Sequence, residues 1–199
     1  GEYMPVYENE RGTYIFNSKD LCMIEHIPEL IEAGIDSFKI EGRMKTALYV
    51  ATVARTYRRA IDDYLEDPEL YRKNMPWYLD QISNCTYRKF TTGFFFGKPD
   101  EDAQIYDSNT YVKEYTYLGI VGEVKNGLCR IEQRNKFSVG ETIEIMKPDG
   151  RNAEVLVRRI LNEEGQEQES APHPKQVLFV ELSSCPEKYD ILRRCEPRS

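Results

Sequence analysis

The chain has 199 residues, 40% of them hydrophobic, 31% charged and 12% aromatic, which is enough to bury one large core or two small ones. The net charge of −7 is uneven, because residues 1–108 carry 13 Lys and Arg against 19 Asp and Glu while residues 109–199 carry 14 against 15. Neither half is the basic body of a stand-alone nucleic-acid binder, and no apolar run approaches the roughly 18 to 20 residues of a membrane span.

The first elements predict alternating strands and helices. Residues 13–16 favour a short strand, and Pro28 and Gly34 are typical of the start and end of a short helix. The segment DSFKIEG (36–42) predicts a second strand, and Thr46 can cap the helix that follows. Because the connection between the strands is too long for a hairpin, we expect them to be parallel.

The long helix after Thr46 and the segment behind it form the next part. A 4-3-4-3 spacing predicts the helix's apolar stripe, and Asp67-Pro68 ends it. Residues 68–90 favour a helical connector, and FTTGFFFG follows, whose phenylalanines we expect to seal the connector against the next domain, although they could also stack bases. A domain boundary is expected near residue 108. The predicted stripe consists of Val50, Ala54, Tyr57, Ile61 and Tyr64.

After residue 108 the apolar residues alternate with period two. Turn signals such as Asn126-Gly127 and Asp149-Gly150 separate the runs, and residues 162–175 favour a polar, mobile loop. Six short strands without crossover helices predict a small antiparallel β-barrel at residues 109–199. The six runs are YLGIVGEV, LCRIEQ, ETIEIM, AEVLVRRIL, QVLFVEL and YDILRRCE.

The cysteines offer no metal site by spacing. Neither His26 nor His173 stands at a zinc-like distance from them, and no C-x-x-C pair occurs. We therefore expect reduced thiols in a cytoplasmic protein, with no metal or cofactor held by this chain alone. The chain begins Gly-Glu-Tyr-Met rather than with an initiator Met, which favours a piece of a longer protein. The cysteines are Cys22, Cys85, Cys129, Cys185 and Cys195.

Two segments carry a resemblance to a known family. The stretch FNSKDLCMIEHIPELIEAGIDSFKIEGRMKTALYVATVARTYRRAIDDY resembles the end of the catalytic domain of the collagenase-like peptidases, peptidase family U32. FTTGFFFG and the six-stranded segment resemble the C-terminal domain of the family's longer members. The motifs SKDLC and KIEGRMK make the likeness specific, and it covers nearly the whole chain.

The resemblance implies an α+β fold in two parts. Residues 1–65 would be the last βα units of a TIM-like catalytic barrel, joined by the helical connector to residue 108, and residues 109–199 would be a barrel similar to domain two of elongation factor Tu. A quarter of a TIM-like barrel cannot close. We therefore expect this part to pack on the C-terminal barrel, to swap or oligomerise with a second copy, or to be partly disordered, and to need the remainder of the catalytic barrel as its partner.

The resemblance also implies a function. Relatives of the longer type are associated with hydroxylation of the wobble uridine of tRNA, which would make tRNA a partner of the intact protein and the C-terminal barrel a module that positions RNA. The rival enzyme reading is a peptidase acting on collagen-like or other peptides, although no H-E-x-x-H or G-x-S-x-G motif occurs. A third reading is a non-catalytic interaction or dimerisation module. This chain alone is expected to be inactive.

Candidate site residues follow from the same likeness. Cys22 resembles the last of the four cysteine ligands of a [4Fe–4S] cluster that recurs in the family, and a buried idle thiol is the alternative. Glu41, Arg43 and Lys45 follow the predicted strand, so in an intact barrel they would lie at its carboxyl end, where they could bind a carboxylate or phosphate or move a proton. An Arg–Glu pair that only fixes the turn is the alternative.

Other charged residues are open to two interpretations. Lys39 could share the site or be a structural charge, and for His26 we favour a structural role over that of a base. Arginines on the long helix and on two barrel strands could contact RNA, but a solvated face with acidic partners is more usual. Arg158-Arg159 and Arg193-Arg194 are adjacent pairs, and because neighbouring residues of a strand face opposite ways, only one arginine of each pair can join a shared patch. The candidates for RNA contact are Arg55, Arg59, Arg158 and Arg194.

Overall fold

The computed structural model describes residues 7–10, 12–14, 18–84, 89–99 and 115–196. The chain divides into two compact units, one formed by Gly1–Lys39 and Tyr57–Val112 and the other by Ile40–Thr56 and Lys113–Ser199. The domain boundary expected near residue 108 lies outside the described residues and stays a prediction. Residues 40–56, which we had expected to belong with the first part, cluster with the C-terminal barrel instead.

The described elements of the first part are mostly helical. In chain order the elements are β1 (Tyr7–Asn9), β2 (Gly12–Tyr14), β3 (Asp20–Leu21), α1 (Ile27–Glu32), α2 (Ala47–Glu66), α3 (Pro68–Ser83) and β4 (Phe90–Thr91). β1 and β2 form an antiparallel hairpin, while β3 pairs in parallel with β4, and a 3₁₀ turn at Ile24–His26 leads into α1.

Local capping chemistry explains where these helices begin and end. Gly34 follows α1 with φ of 77°, a conformation that costs glycine little. Thr46 Oγ1 accepts the Tyr49 N–H at 3.2 Å at the start of α2. α2 ends at Glu66, and the Asp67 carboxylate then accepts the Glu69 N–H at 2.9 Å, which caps α3. The helix signals at Pro28, Gly34, Thr46 and Asp67-Pro68 are thus confirmed, and Pro76 lies inside α3.

The predicted strand at 36–42 is wrong. Residues 35–42 form no strand, and Ile35 and Ile40 are exposed. A parallel strand is stable only between hydrogen-bonded neighbours, and the parallel pairing that the described residues contain, β3 with β4, is two residues long. The sequence of residues 36–42 favours a strand, but the described residues provide no neighbouring strand to which it is hydrogen-bonded.

The predicted stripe of α2 holds only in the second half of the helix. Tyr57, Ile61 and Tyr64 pack around a core of the first unit, as expected. Val50 and Ala54 are exposed instead of buried. The first half of α2 buries another, more polar face. The buried core of the first unit consists of Ile24, Ile27, Ala60, Tyr71 and Tyr78. The buried face of the first half of α2 consists of Leu48, Thr52, Val53, Arg55 and Thr56.

The C-terminal part is the antiparallel β-barrel that the sequence predicts. Its strands run in the order β10-β6-β5-β11-β7-β8, and β8 also pairs with β10, which closes the sheet. A further short strand, β9, extends β8 as a hairpin, so part of the loop expected to be mobile is paired. The strands are β5 (Tyr115–Lys125), β6 (Leu128–Gln133), β7 (Thr142–Met146), β8 (Ala153–Leu161), β9 (Glu167–Gln168), β10 (Val177–Leu182) and β11 (Ile191–Cys195).

Alternation fills the barrel. Inward-facing residues of all six main strands form one apolar core that includes Leu118, Ile131, Val157, Leu178 and Leu192. Asn126-Gly127 joins β5 to β6 with both residues at positive φ, the geometry of a type I′ hairpin turn. Among the described residues, no helix has both the length and the apolar character needed to cross a membrane.

Residues 40–56 attach to this barrel through the first half of α2. Leu48 joins a small apolar cluster with Tyr117, Met146 and Ile191, and the Thr52 hydroxyl donates to Met146 Sδ at 3.4 Å. This second, smaller core explains why α2 buries a polar face at its start.

Candidate functional site

Cys22 lies at a cleft in the first unit. The cleft has a volume of about 440 Å³ and is lined by backbone and side chains of the β3 and β4 region and the turn after β4. Two positive side chains, Lys19 and Lys98, and one carboxylate, Glu25, lie along it, and Phe96 forms part of its wall. The parallel pairing of β3 with β4 positions Cys22, whose N–H donates to the Thr91 carbonyl at 3.0 Å.

The Cys22 thiol is partly buried and held by a tyrosine. The Tyr57 hydroxyl lies 3.7 Å from Sγ and also accepts the Met23 N–H at 2.8 Å. Burial raises the pKa of the Cys22 thiol above its ordinary value, although hydrogen bonds from the Ile24 backbone and from Tyr57 act in the opposite direction. The thiol is therefore mainly protonated at neutral pH in this chain. Sequence reasoning missed Tyr57 as its partner, because 35 residues separate the two and we assigned Tyr57 only to the stripe of α2.

The described residues do not fit a [4Fe–4S] cluster by themselves. Such a cluster needs four thiolate ligands, and Cys22 is the cysteine that lines this cleft. No group of three or more His, Cys, Asp or Glu side chains suited to a metal ion occurs in the described part of the chain. Cys85 lies outside the described residues.

The charged turn is ordered by its own carboxylate. Glu41 Oε1 accepts the Arg43 backbone N–H at 2.8 Å, so the Glu41 carboxylate stabilises the turn through the main chain of Arg43. The Arg43 side chain is exposed, and Lys45 lies with its ammonium 5.1 Å from the centre of the Tyr49 ring. Since residues 36–42 form no strand, these residues do not lie at the carboxyl end of one. Lys39 is exposed in the same segment.

Burial changes the interpretation of Arg55, one of the arginines considered for RNA contact. Arg55 is 8% exposed, and its guanidinium donates to the Lys147 carbonyl at 2.8 Å and to Asn152 Oδ1 at 2.9 Å. Arg193, which precedes the candidate Arg194 on β11, is also buried: it is 1% exposed and its Nε donates to Glu144 Oε1 at 2.5 Å. Their burial and these hydrogen bonds favour a structural role for both arginines.

The less buried arginines of α2 and of the barrel strands mostly have acidic partners. Arg59 binds Asp63 at 2.8 Å and Arg159 binds Glu167 at 2.8 Å, while Arg194 donates to Glu141 at 3.0 Å and to Glu196. Arg158 is exposed beside Arg159 on β8, in a hollow of about 230 Å³ that two glutamates also line. Each of these arginines thus has acidic side chains close by, in its own unit.

The three phenylalanines after β4 and the ring of His26 are the aromatic candidate residues of the first unit. Phe94, Phe95 and Phe96 are 53–79% exposed, and the expectation that they seal the connector against the next domain stays a prediction. His26 Nδ1 lies 3.2 Å from Glu29 Oε1, and its ring is 4.5 Å from that of Phe96. These contacts favour the structural role expected for His26.

Comparison with known proteins gives the family. The family model for Peptidase family U32 matches residues 2–105, and that for the Peptidase family U32 C-terminal domain matches residues 113–193. The first of these covers just over half of the chain.

Curated relatives show the same relationship. A tRNA hydroxylation protein P1 of Bacillus subtilis is 36% identical over 89% of this chain, and a tRNA hydroxylation protein P of Escherichia coli is 37% identical over 86%. A collagenase of Porphyromonas gingivalis is 32% identical over 68%. The alignments cover 42%, 37% and 38% of these relatives, so the chain spans about two fifths of their length. The chain, with both its parts matched in order, belongs to peptidase family U32.

Proposed function

We propose that the intact protein containing this chain acts in the hydroxylation of the wobble uridine of tRNA. The observation that carries the proposal is the match of both parts of the chain, in order, to proteins named for tRNA hydroxylation. In this proposal tRNA is the partner of the intact protein, which acts in the cytoplasm, and the C-terminal barrel helps to position the RNA.

The residues of the first unit and of the charged turn receive roles in this proposal. Cys22 supplies one thiolate to a [4Fe–4S] cluster whose other ligands lie elsewhere in the intact protein, and the cleft beside it would accept that neighbouring structure. Arg43, exposed and held at a turn by Glu41, binds a carboxylate or phosphate of a substrate, because a guanidinium can make two parallel hydrogen bonds to either group. Lys45 adds a second positive charge to the same turn.

The test is nucleoside mass spectrometry on tRNA from cells that lack the intact protein. We expect 5-hydroxyuridine to disappear on deletion and to return with the wild-type gene but not with Cys22→Ala or Arg43→Ala. Two matched controls should restore it: Cys195→Ala, which removes an exposed cysteine, and Arg58→Ala, which removes an exposed arginine paired with Asp62.

Other results would change the roles of these residues or contradict the proposal. If Cys22→Ala or Arg43→Ala restores the modification, that residue is structural. If deletion leaves 5-hydroxyuridine unchanged in a strain without a second uridine-hydroxylating relative, the proposal is wrong. Gelatin cleavage by the purified intact protein, lost in the same variants, would then support the peptidase reading that the relative from Porphyromonas gingivalis represents.

A further inference from the structure

Tyr189 holds an unfavourable backbone conformation on the surface of the barrel. Its φ is 76°, a region that glycine and asparagine enter readily but a bulky side chain does not. The residue is also 67% exposed, so burial of its ring does not compensate the strain. Strain that persists at an exposed residue commonly marks a functional contact. By contrast, Asn126, which also has positive φ, lies in an Asn-Gly hairpin turn where asparagine is well tolerated.

The turn that carries Tyr189 is firmly held. The Tyr189 N–H donates to the Val121 carbonyl at 2.8 Å. The next residue, Asp190, is 2% exposed, and its carboxylate accepts the Glu187 N–H at 2.8 Å and pairs with Lys147 Nζ at 3.2 Å. These contacts fix the backbone on both sides of Tyr189, so the ring is presented from a rigid support at little cost in entropy on binding.

One cation lies over the Tyr189 ring, and a second lies beside the part of β5 to which Tyr189 is hydrogen-bonded. The Lys188 ammonium is 4.9 Å from the centre of the Tyr189 ring. On the neighbouring strand, Arg130 Nη1 lies 3.6 Å from the point that a Cβ on Gly122 would occupy, and Gly122 directly follows the residue that accepts the Tyr189 N–H. Arg130 is exposed and makes no ion pair with any residue that the structure describes.

We infer that Tyr189, with Lys188 and Arg130, forms a stacking site for one unpaired base of an RNA loop. An exposed aromatic ring offers a face to any base, and flanking cations neutralise the adjacent phosphates. The closed barrel supplies the rigid scaffold that such a contact needs. The inference deepens the proposed function, since it assigns the RNA-positioning role of the barrel to a particular surface.

The experiment measures RNA binding and thermal stability together in the intact protein. The probe is a fluorescently labelled anticodon stem-loop. We expect Tyr189→Gly to weaken binding about tenfold, because stacking of one base is lost, while the melting temperature stays equal or rises as the strain is relieved. Tyr189→Phe should bind like wild type. Lys188→Met and Arg130→Met should each reduce the slope of log K against log salt by about one.

The controls separate stacking from fold and from general affinity. Asn126→Gly changes another residue at positive φ in a barrel turn and should leave binding unchanged. An RNA duplex without a loop should bind wild type and Tyr189→Gly equally. Equal binding of the stem-loop by wild type and Tyr189→Gly, or a lower melting temperature in Tyr189→Gly, would overturn the inference. The first result would also fit a protein partner, and the second would make Tyr189 part of the fold.

The outcome is distinguishable from that of the proposed function. If deletion leaves 5-hydroxyuridine unchanged but Tyr189→Gly weakens stem-loop binding, the stacking site stands and the hydroxylation proposal fails. If deletion removes the modification but Tyr189→Gly binds the stem-loop normally, the stacking site fails and the proposed function stands.

Discussion

The guanidinium of Arg193 lies 3.8 Å from the centre of the Tyr115 ring, inside a barrel wall where only 1% of Arg193 is exposed. Its Nε and one terminal nitrogen both lie 2.5 Å from Glu144 Oε1. The charge is thus buried with an acidic partner and an aromatic face, an arrangement in which removal of one member leaves the other charge poorly compensated.

Replacement of Arg193 should therefore destabilise the barrel. We expect Arg193→Met to lower the free energy of unfolding by about 3 kcal/mol, since among the described residues Glu144 would keep the Asn152 amide as its remaining side-chain partner. The matched control is Arg158→Met, which removes an exposed arginine from the neighbouring surface and should cost less than about 0.5 kcal/mol. Urea denaturation followed by circular dichroism measures both. Equal midpoints for the two variants would show that the Arg193 pair adds no stability.

Asp63 should make the first unit sensitive to acid. Burial by itself raises the pKa of Asp63, but hydrogen bonds from Tyr78 at 2.5 Å, from Asn74 at 2.7 Å and from Arg59 at 2.8 Å outweigh it, so the pKa lies below its ordinary value. A carboxyl group that binds its proton less tightly in the folded state stabilises fully above its unfolded pKa of about 3.9. That stabilisation is lost as the pH falls through the folded pKa.

Asp63→Asn tests this directly. We expect it to cost about 2–4 kcal/mol at neutral pH, and the difference from wild type should shrink as the pH falls below about 4. Asp62→Asn is the control, because Asp62 is the adjacent carboxylate, exposed and paired only with Arg58 among the described residues. Denaturation at a series of pH values gives both curves. A constant difference between wild type and Asp63→Asn at every pH would mean that the charge of Asp63 is not what stabilises the fold.

Gly119 is predicted to be irreplaceable for reasons of space. A Cβ at this position would lie 2.7 Å from Ile131 Cγ2 and 2.8 Å from the Glu132 carbonyl oxygen, in the β5–β6 pair. Gly119→Ala should therefore destabilise the barrel by about 1–3 kcal/mol. Gly122→Ala on the same strand is the control, since its nearest atom would be 3.3 Å away, and its cost should be smaller. Thermal unfolding of both variants measures the two losses of stability. A larger loss for Gly122→Ala than for Gly119→Ala would contradict the packing described for β5 and β6.

The parts of the fold that could be predicted from the sequence are those that local pattern determines. Alternation and Asn-Gly or Asp-Gly turns predict the six strands, Thr46 predicts a helix start and Asp67-Pro68 predicts a helix end, because each signal acts within a few residues. The strand at 36–42 failed because a parallel strand depends on neighbours elsewhere in the chain.

The candidate site was less predictable for the same reason. Arg55 and Arg193 look like surface arginines in sequence. The partners that bury Arg55 are 92 and 97 residues away, and Arg193 is buried by a ring and a carboxylate on other strands. The partnership of Cys22 with Tyr57 joins positions 35 residues apart. Contacts of this kind carry no signal in one sequence.

The cysteines should differ in reactivity in an order set by burial. Burial raises the pKa of Cys129 to about 12, and its thiol also donates to the Val180 carbonyl at 3.0 Å inside the barrel. Cys185 and Cys195 are exposed, and Cys22 is intermediate with a raised pKa. Because the thiolate is the nucleophile, the raised pKa values slow the reaction of Cys22 and Cys129, and solvent access favours the exposed pair.

Iodoacetamide at mildly alkaline pH, with peptide mass spectrometry to assign each site, measures this order. We expect Cys185 and Cys195 to react first and Cys22 more slowly, while Cys129 should react only after denaturant is added. A denatured sample, in which all of them react at similar rates, is the control for intrinsic reactivity. Rapid labelling of Cys129 in the native protein would contradict a closed barrel, since the thiol can reach the reagent only if β6 separates from β10.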